Sequence, residues 1–174
     1  MMKNQQIYIT QADFNRLRRI IANMALAHDV DRRSLDELEH SYGSRDALGL
    51  IKEVRKLKNS KNDAEWQRFE ELASELDRAV IVETEKIPAD VVTMNSRVCL
   101  KDIDSGKEHE YQIVYPEDAD FEKNRISVLA PIGTAILGYK VGDVIEWAVP
   151  AGVRRFKIRK ILFQPEAAKE YHLK

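Results

Sequence analysis

From Phe14 onward the apolar residues recur at steps of three and four: Phe14, Leu17, Ile21 and Met24. That spacing lays them along one stripe of an α-helix, because about 3.6 residues complete a turn. Thr10 is placed to cap this helix. Asp13 adds a carboxylate to the first turn, where the positive end of the helix dipole favours it. The same heptad continues through His28, Asp31, Leu35, Leu38 and Tyr42, apolar at both ends and polar in the middle. A second helical tract carries Ala47, Leu50, Val54 and Leu57 on one stripe, then Trp66, Phe69, Ala73, Leu76 and Val80 on another. Between the stripes lies Asn59-Ser60-Lys61-Asn62-Asp63, polar and rich in capping residues. A reversal at Gly43-Ser44 sets this break opposite His28–Asp31. The pattern predicts an antiparallel helical hairpin, a coiled coil with a weak waist. Uninterrupted, an arm of about 32 residues reaches about 48 Å at ~1.5 Å per residue. A compact three- or four-helix bundle broken at the same places satisfies the same periodicity.

Beyond Pro88 the period changes from three-and-four to two. Val98–Ile103 reads as a strand, Asp104-Ser105-Gly106 as a turn, and Glu110–Val114 as the returning strand. Ile126–Leu129 is a third strand. Pro131 opens a short helix at its favoured early position, and Gly138 closes it. Val144–Val149 is a fourth strand, turned by Pro150-Ala151-Gly152 into a last one from Val153 to Phe163. Along that strand Phe156, Ile158 and Leu162 share one face, and Arg155, Lys157 and Arg159 the other. Antiparallel pairing is the expectation for strands joined so closely. The predicted fold is α+β, an N-terminal helical hairpin followed by a small sheet domain.

Composition supports the division. All five prolines, and five of the seven glycines, lie at or beyond position 88. Both residues interrupt helices and mark turns, so the boundary falls near Thr84–Asp90, with domains over 1–86 and 87–174. Charge is high but balanced: 28 basic and 29 acidic residues leave a formal net charge of −1. That balance argues against a nucleic-acid protein acting through bulk basic charge. There is no apolar run of the ~18 residues a transmembrane helix needs, and no signal-peptide core precedes Ile7-Tyr8-Ile9. A single cysteine, Cys99, excludes an intramolecular disulfide framework and a thiolate zinc cluster. A cytoplasmic protein is the expectation.

No nucleophile–base arrangement, phosphate loop or His-Glu-x-x-His motif is present, and the histidines at 28, 40, 109 and 172 are scattered. His109 can approach Cys99 across the first hairpin, but two ligands do not make a zinc site, and Cys99 reads as an ordinary buried residue. Asp36-Glu37-Leu38-Glu39 lies one turn from the proposed hairpin tip, with Asp46 just past it. In a chain that is 33% charged such a cluster reads first as a solvated helix face. At the end of an arm, the same carboxylates can help hold a magnesium ion inside a partner's active site. Lys52, Arg55, Lys56, Lys58 and Lys61 form a basic run, and Arg154, Arg155, Lys157, Arg159 and Lys160 another. Both are read as solvated faces, the second also protecting a sheet edge, so direct DNA contact stays undecided. Tyr111, Trp147 and Phe156 are read as core rather than as a platform for stacking bases. With no catalytic site and no cofactor motif, the residues favour an interaction protein over an enzyme.

Several stretches carry a family signature: Val91–Val98, Val114–Asp120, Ile126–Gly133, Leu137–Asp143, Ile145-Glu146-Trp147 and Gln164–Ala168. Nearly all of residues 91–168 resembles the C-terminal domain shared by the Gre transcript-cleavage factors and Rnk, the regulators of nucleoside diphosphate kinase. Val-Val-Thr-Met-Asn-Ser, Tyr-Pro-Glu-Asp and Gln-Pro-Glu-Ala-Ala are Rnk-like, whereas Asp-Ile-Asp-Ser-Gly and Tyr-Gln-Ile-Val occur in both branches. The resemblance implies an FKBP-like domain that docks on the rim of the RNA polymerase secondary channel. It implies that Ala130-Pro131-Ile132 belongs to the docking surface, and that the hairpin enters the channel. The acidic candidates at the tip are Asp36, Glu37, Glu39 and Asp46. Asp36 and Glu39 keep the family's Asp-x-x-Glu spacing, but on a helix and ahead of Gly43. The implied function is regulation of transcription elongation, with nucleoside diphosphate kinase as the alternative partner. The Rnk-type body is combined with an arm nearer Gre length, so docking follows from the resemblance and transcript cleavage does not.

Overall fold

The computed structural model describes residues 7–29, 70, 72–149 and 152–170. The proposed reversal at Gly43-Ser44, the break at Asn59–Asp63 and most of the predicted hairpin lie outside these residues.

The chain enters through a short strand, β1 (Tyr8–Thr10), that runs directly into helix α1 (Gln11–Asp29). Thr10 caps α1 as predicted, its Oγ1 accepting the Asp13 amide at 3.2 Å. Leu17 and Ile21 are buried on the expected stripe, and Ile20 joins them. A second helical segment over residues 72–77 buries Leu72 and Leu76 in the same core. Here the structure corrects one reading. Val80 does not continue the helical stripe; it opens strand β2 (Val80–Val82). The helix closes through Arg78 and Ala79, whose amides bond to Glu75 and Leu76. Val-Ile-Val is β-branched throughout and suits an extended chain better than a helix. β2 pairs in parallel with β1, Tyr8 opposite Val80 and Thr10 opposite Val82. An ion pair from Arg18 to Asp77, 2.7 Å, lies on the solvent side of the same junction.

The second half is a five-stranded sheet in the order β5-β4-β3-β7-β6. Its strands are β3 (Arg97–Asp102), β4 (Glu108–Val114), β5 (Arg125–Ser127), β6 (Val144–Val149) and β7 (Gly152–Phe163). Helix α2 (Pro131–Ile136) follows β5. All these elements fall within a residue or two of the sequence expectation, except that β5 is shorter. The sheet is not wholly antiparallel, however, because β5 runs parallel to β4. The chain passes from β4 to β5 through two 3-10 turns, Pro116–Asp118 and Phe121–Lys123, long enough to bring it back in the same direction.

The last strand also departs from simple alternation. Against β3, Leu100 faces Ile158, Cys99 faces Lys160 and Val98 faces Ile161. Arg159 and Leu162 are extra residues at register shifts, so the core-facing series becomes Phe156, Ile158 and Ile161. A bulge moves every later side chain to the other face, which explains why Leu162 gives way to Ile161.

Just before β6, Lys140–Asp143 makes a tight turn beside the middle of β7. The Asp143 amide bonds to Lys140 O, and the Asp143 carboxylate accepts the Lys140 amide at 2.8 Å. Gly142, at φ +100, then gives its amide to Ile158 O. A glycine supplies that backbone conformation at no steric cost.

One core joins both halves. Ile7, Ile9, Leu17, Ile20, Leu72 and Leu76 belong to the same buried cluster as Val92, Met94, Leu100, Ile113, Ile136 and Leu137. Gly138 sits at the seam. Its amide bonds to Val92 O, its carbonyl accepts the Tyr8 amide, and its missing side chain leaves room for Ile7. No helix among the described residues is long and apolar enough to cross a membrane.

Candidate functional site

Three groups of residues in the second half have a geometry beyond simple packing. The first is the turn from β5 into α2. Val128 bonds back to Val114 O, and the Ala130 amide closes onto Ser127 O at 2.9 Å. The Ser127 hydroxyl accepts the Leu129 amide, and the Thr134 hydroxyl donates to Val128 O at 2.8 Å. Pro131 occupies the first turn of α2, where its lack of an amide hydrogen costs nothing. Gly133 lets the helix press onto the strand, since an added methyl would stand 2.2 Å from Ser127 O. Of the residues expected at a docking surface, Ala130 and Pro131 are half-buried at this turn, whereas Ile132 is 3% exposed and belongs to the core. Ala130 and Pro131 are thus the partly exposed residues of this turn, while Ile132 packs into the core beneath them.

The second group ties α1 to the Tyr115-Pro116-Glu117-Asp118 stretch. Tyr115 is buried and donates its hydroxyl to Asp13 Oδ1 at 3.0 Å. Burial, and then the Asp13 carboxylate beside it, push that hydroxyl far above the ordinary tyrosine range. It stays protonated and works as a donor. The Arg16 guanidinium lies 3.7 Å from the centre of the Tyr115 ring and pairs with Glu117. Sequence reasoning assigned Asp13 to the helix dipole alone. Its partner lies 102 residues away, and no local signal marks the pairing.

The third group joins two stretches of the family signature. The Thr93 hydroxyl donates to Glu166 at 2.7 Å and also bonds with the Ser96 hydroxyl at 3.0 Å. Gln164 donates to the carbonyls of Val91 and Pro88, at 2.7 and 3.0 Å. Asn95 takes the left-handed conformation, φ 63, which asparagine tolerates better than most residues. Val-Val-Thr-Met-Asn-Ser and Gln-Pro-Glu-Ala-Ala thus form a latch across the end of the domain.

The hairpin between β3 and β4 is locked by Asp102. Its carboxylate accepts the amides of Asp104 and Ser105, 2.9 and 3.2 Å away, and pairs with Arg154 at 3.1 Å. The Ser105 amide first, with the Asp104 amide and Arg154 adding to it, holds this carboxyl below its ordinary value of 3.8. A carboxyl whose folded value is depressed stabilises the fold above its unfolded value and loses that contribution as pH falls through the folded one. Asp102→Asn is therefore expected to lower the unfolding midpoint at neutral pH. The gap from wild type should begin to close below about pH 4 and vanish in stronger acid. Urea titrations of both proteins across that range check the sign, and a gap that widens in acid would contradict it.

Cys99 and His109 do not come together. Cys99 lies opposite Glu110 and donates to Glu108 at 3.5 Å, whereas His109 lies opposite Leu100 and stacks near Tyr111. Burial, followed by the Glu108 hydrogen bond and charge, pushes the thiol up, which makes it a poor nucleophile. No metal-holding group of three or more His, Cys, Asp or Glu side chains occurs among the described residues. Asp36, Glu37, Glu39 and Asp46 lie outside those residues, as does the Lys52–Lys61 basic run. Of the basic residues on β7, Arg154, Arg155 and Arg159 pair with Asp102, Asp104 and Glu108. Phe156 is core and Tyr111, partly buried, packs against the core cluster; the side chain of Trp147 is outside the described residues.

Comparison with known proteins defines the class. Residues 87–163 match the family model described as "Transcription elongation factor, GreA/GreB, C-term". The regulator of nucleoside diphosphate kinase from Escherichia coli K12 is 43% identical over 103 residues, covering 59% of this chain and 76% of that protein. Transcription elongation factor GreA of Thermotoga petrophila is 28% identical over 160 residues, 91% of this chain and 98% of that one. A solved GreA/GreB elongation factor from Nitrosomonas europaea superposes with a TM-score of 0.61 at 30% identity. The superposition covers 91% of this chain and 100% of that structure. The fold is a GreA/GreB-like mixture of helix and sheet. The chain belongs to the Gre/Rnk family.

Proposed function

We propose that the chain is a bacterial RNA polymerase-binding regulator of transcription elongation, docking through the β5–α2 turn at the rim of the secondary channel. Residues 1–86 serve as the helical arm and residues 87–174 as the docking domain, both in the cytoplasm. The observation that carries this reading is the turn itself. Ala130 and Pro131 are presented at the surface by a frame that hydrogen bonds to Ser127 and Val128 hold rigid, within a domain of the Gre/Rnk family. Rigid presentation lowers the entropic cost of binding. The proposal covers docking by the turn and entry of the arm, with Asp36, Glu37, Glu39 and Asp46 at its tip. It assigns no cleavage activity to those carboxylates.

The test is equilibrium binding of the labelled chain to core RNA polymerase, with a Gre factor as competitor. Binding that the competitor displaces is expected. Ala130→Arg should weaken it by about tenfold or more, equivalent to about 1.4 kcal/mol. The Ala130 side chain makes no capping hydrogen bond, so the substitution removes none from the fold. No binding at micromolar concentration, or binding that a Gre factor leaves untouched, would overturn the proposal.

A second reading rests on the 43% identity to a regulator of nucleoside diphosphate kinase. Here the chain acts on that enzyme by direct binding. Purified kinase whose activity and mobility do not respond to the chain would exclude it.

A further inference from the structure

Phe121 is 88% exposed, more than any other large apolar side chain among the described residues. Scattered surface aliphatics are ordinary in folded proteins. A whole phenyl ring held out into solvent on a turn whose backbone is braced is a different observation. The Asp120 carboxylate accepts the Lys123 amide at 3.3 Å and the Lys123 ammonium at 2.7 Å. Asp120 and Arg125 exchange backbone hydrogen bonds of 2.9 Å in each direction. Asn124 closes the loop in the left-handed conformation, φ 54, with its amide on Phe121 O. The ring therefore projects from a preformed platform.

Its position relates it to the docking turn. β5 is the edge strand of the sheet and only three residues long, so it advances about 7 Å from end to end. The Phe121 turn is hydrogen-bonded to the first residue of β5, and the Ala130–Pro131 turn to its last. A protein interface of ordinary size covers about 800 Å² on each partner, which readily spans both turns. Aromatic rings on rigid supports are the side chains that dominate such interfaces.

We propose that Phe121 is a second anchor of the docking surface, entering an apolar slot on the same protein partner that meets Ala130 and Pro131. This inference rests on the docking reading above. The two turns grip from opposite ends of β5, so the partner contacts one continuous edge of the sheet.

The experiment measures the affinity of core RNA polymerase for the full-length wild type, Phe121→Ala, Glu122→Ala and Ala130→Arg, alongside each protein's urea midpoint. Phe121→Ala is expected to weaken binding about tenfold or more with an unchanged midpoint, because an exposed ring contributes little to the fold. Glu122→Ala, the exposed neighbour, should bind like wild type. If Phe121→Ala binds like wild type while Ala130→Arg does not, the second anchor is wrong and docking stands. If Glu122→Ala is weakened equally, the loss belongs to the turn as a whole and the ring has no special part. If wild type itself fails to bind, the docking reading falls and this inference falls with it.

Discussion

Gly133→Ala is expected to cost about 3 kcal/mol or more, the upper end for an overpacked site. The added methyl would stand 2.2 Å from the Ser127 carbonyl oxygen and 3.0 Å from Val128 Cα, both backbone atoms that cannot swing aside. Relief requires α2 to lift from β5. That movement stretches the Thr134 hydroxyl bond to Val128 O and displaces Ile132, which fills the core beneath the turn. The loss should appear in two measurements, a lower denaturant midpoint and, on the docking proposal, weaker binding to RNA polymerase, because the turn that packs α2 on the sheet is also the one proposed to dock. Gly142→Ala provides the comparison. Gly142 also lies in a tight turn, at φ +100, but an added methyl there meets nothing within 4 Å. Only backbone strain remains, on the order of 1–2 kcal/mol, and polymerase affinity should stay at the wild-type level. If Gly133→Ala proved no more damaging than Gly142→Ala, the close approach of α2 to β5 would be refuted.

Replacing Tyr115 is the second large effect. Tyr115→Ala removes a fully buried ring, and an aromatic-to-alanine change in a core costs about 3–5 kcal/mol. Tyr115→Phe keeps the ring and deletes only the hydroxyl that donates to Asp13, an expected loss of about 1–3 kcal/mol for a buried polar pair. The two variants separate two contributions: the ring that Arg16 covers, and the proton that the buried carboxylate receives. Both act where polar contacts tie α1 to the sheet domain, so the proteolytic sensitivity of α1 should rise in parallel with the loss of stability. Equal stability of Tyr115→Phe and wild type would mean that the hydroxyl bond contributes nothing net to the fold.

Much of the candidate site was legible in the linear pattern. Pro131 announced a helix start and Gly138 its end, and the α2 bounds agree with that reading. The resemblance named Ala130, Pro131 and Ile132 as one surface; Ala130 and Pro131 are half-buried at the turn, whereas Ile132 is core. What the pattern could not show is that Ile132 turns inward. An isoleucine two residues after a helix cap satisfies the same local rules whether its face meets a sheet or a partner. Phe121 was missed because exposure of an aromatic residue has no periodic signature. Its neighbours Asp120 and Asn124 are common turn formers, and they told of a loop without telling what the loop holds out.

The contrast is one of range. Helix caps, hairpin turns and strand alternation depend on residues within about eight positions of each other, and these the amino-acid order determined by itself: Thr10 on α1, the Asp104–Gly106 turn, and the β6 and β7 strands. The tertiary structure decided what distant segments do when packed. Tyr8-Ile9-Thr10 formed a strand beside Val80-Ile81-Val82, and Val80, whose β-branched run already favours an extended chain, left its helical stripe to pair there. β5 runs parallel to β4 because its connection is long enough to return, and β7 slips register so that Ile161 faces the core. Asp13 meets Tyr115, and Thr93 meets Glu166, across 102 and 73 residues. Most buried polar groups find a partner wherever the core places one. That pairing operates in space, and nothing in the local order of residues expresses it.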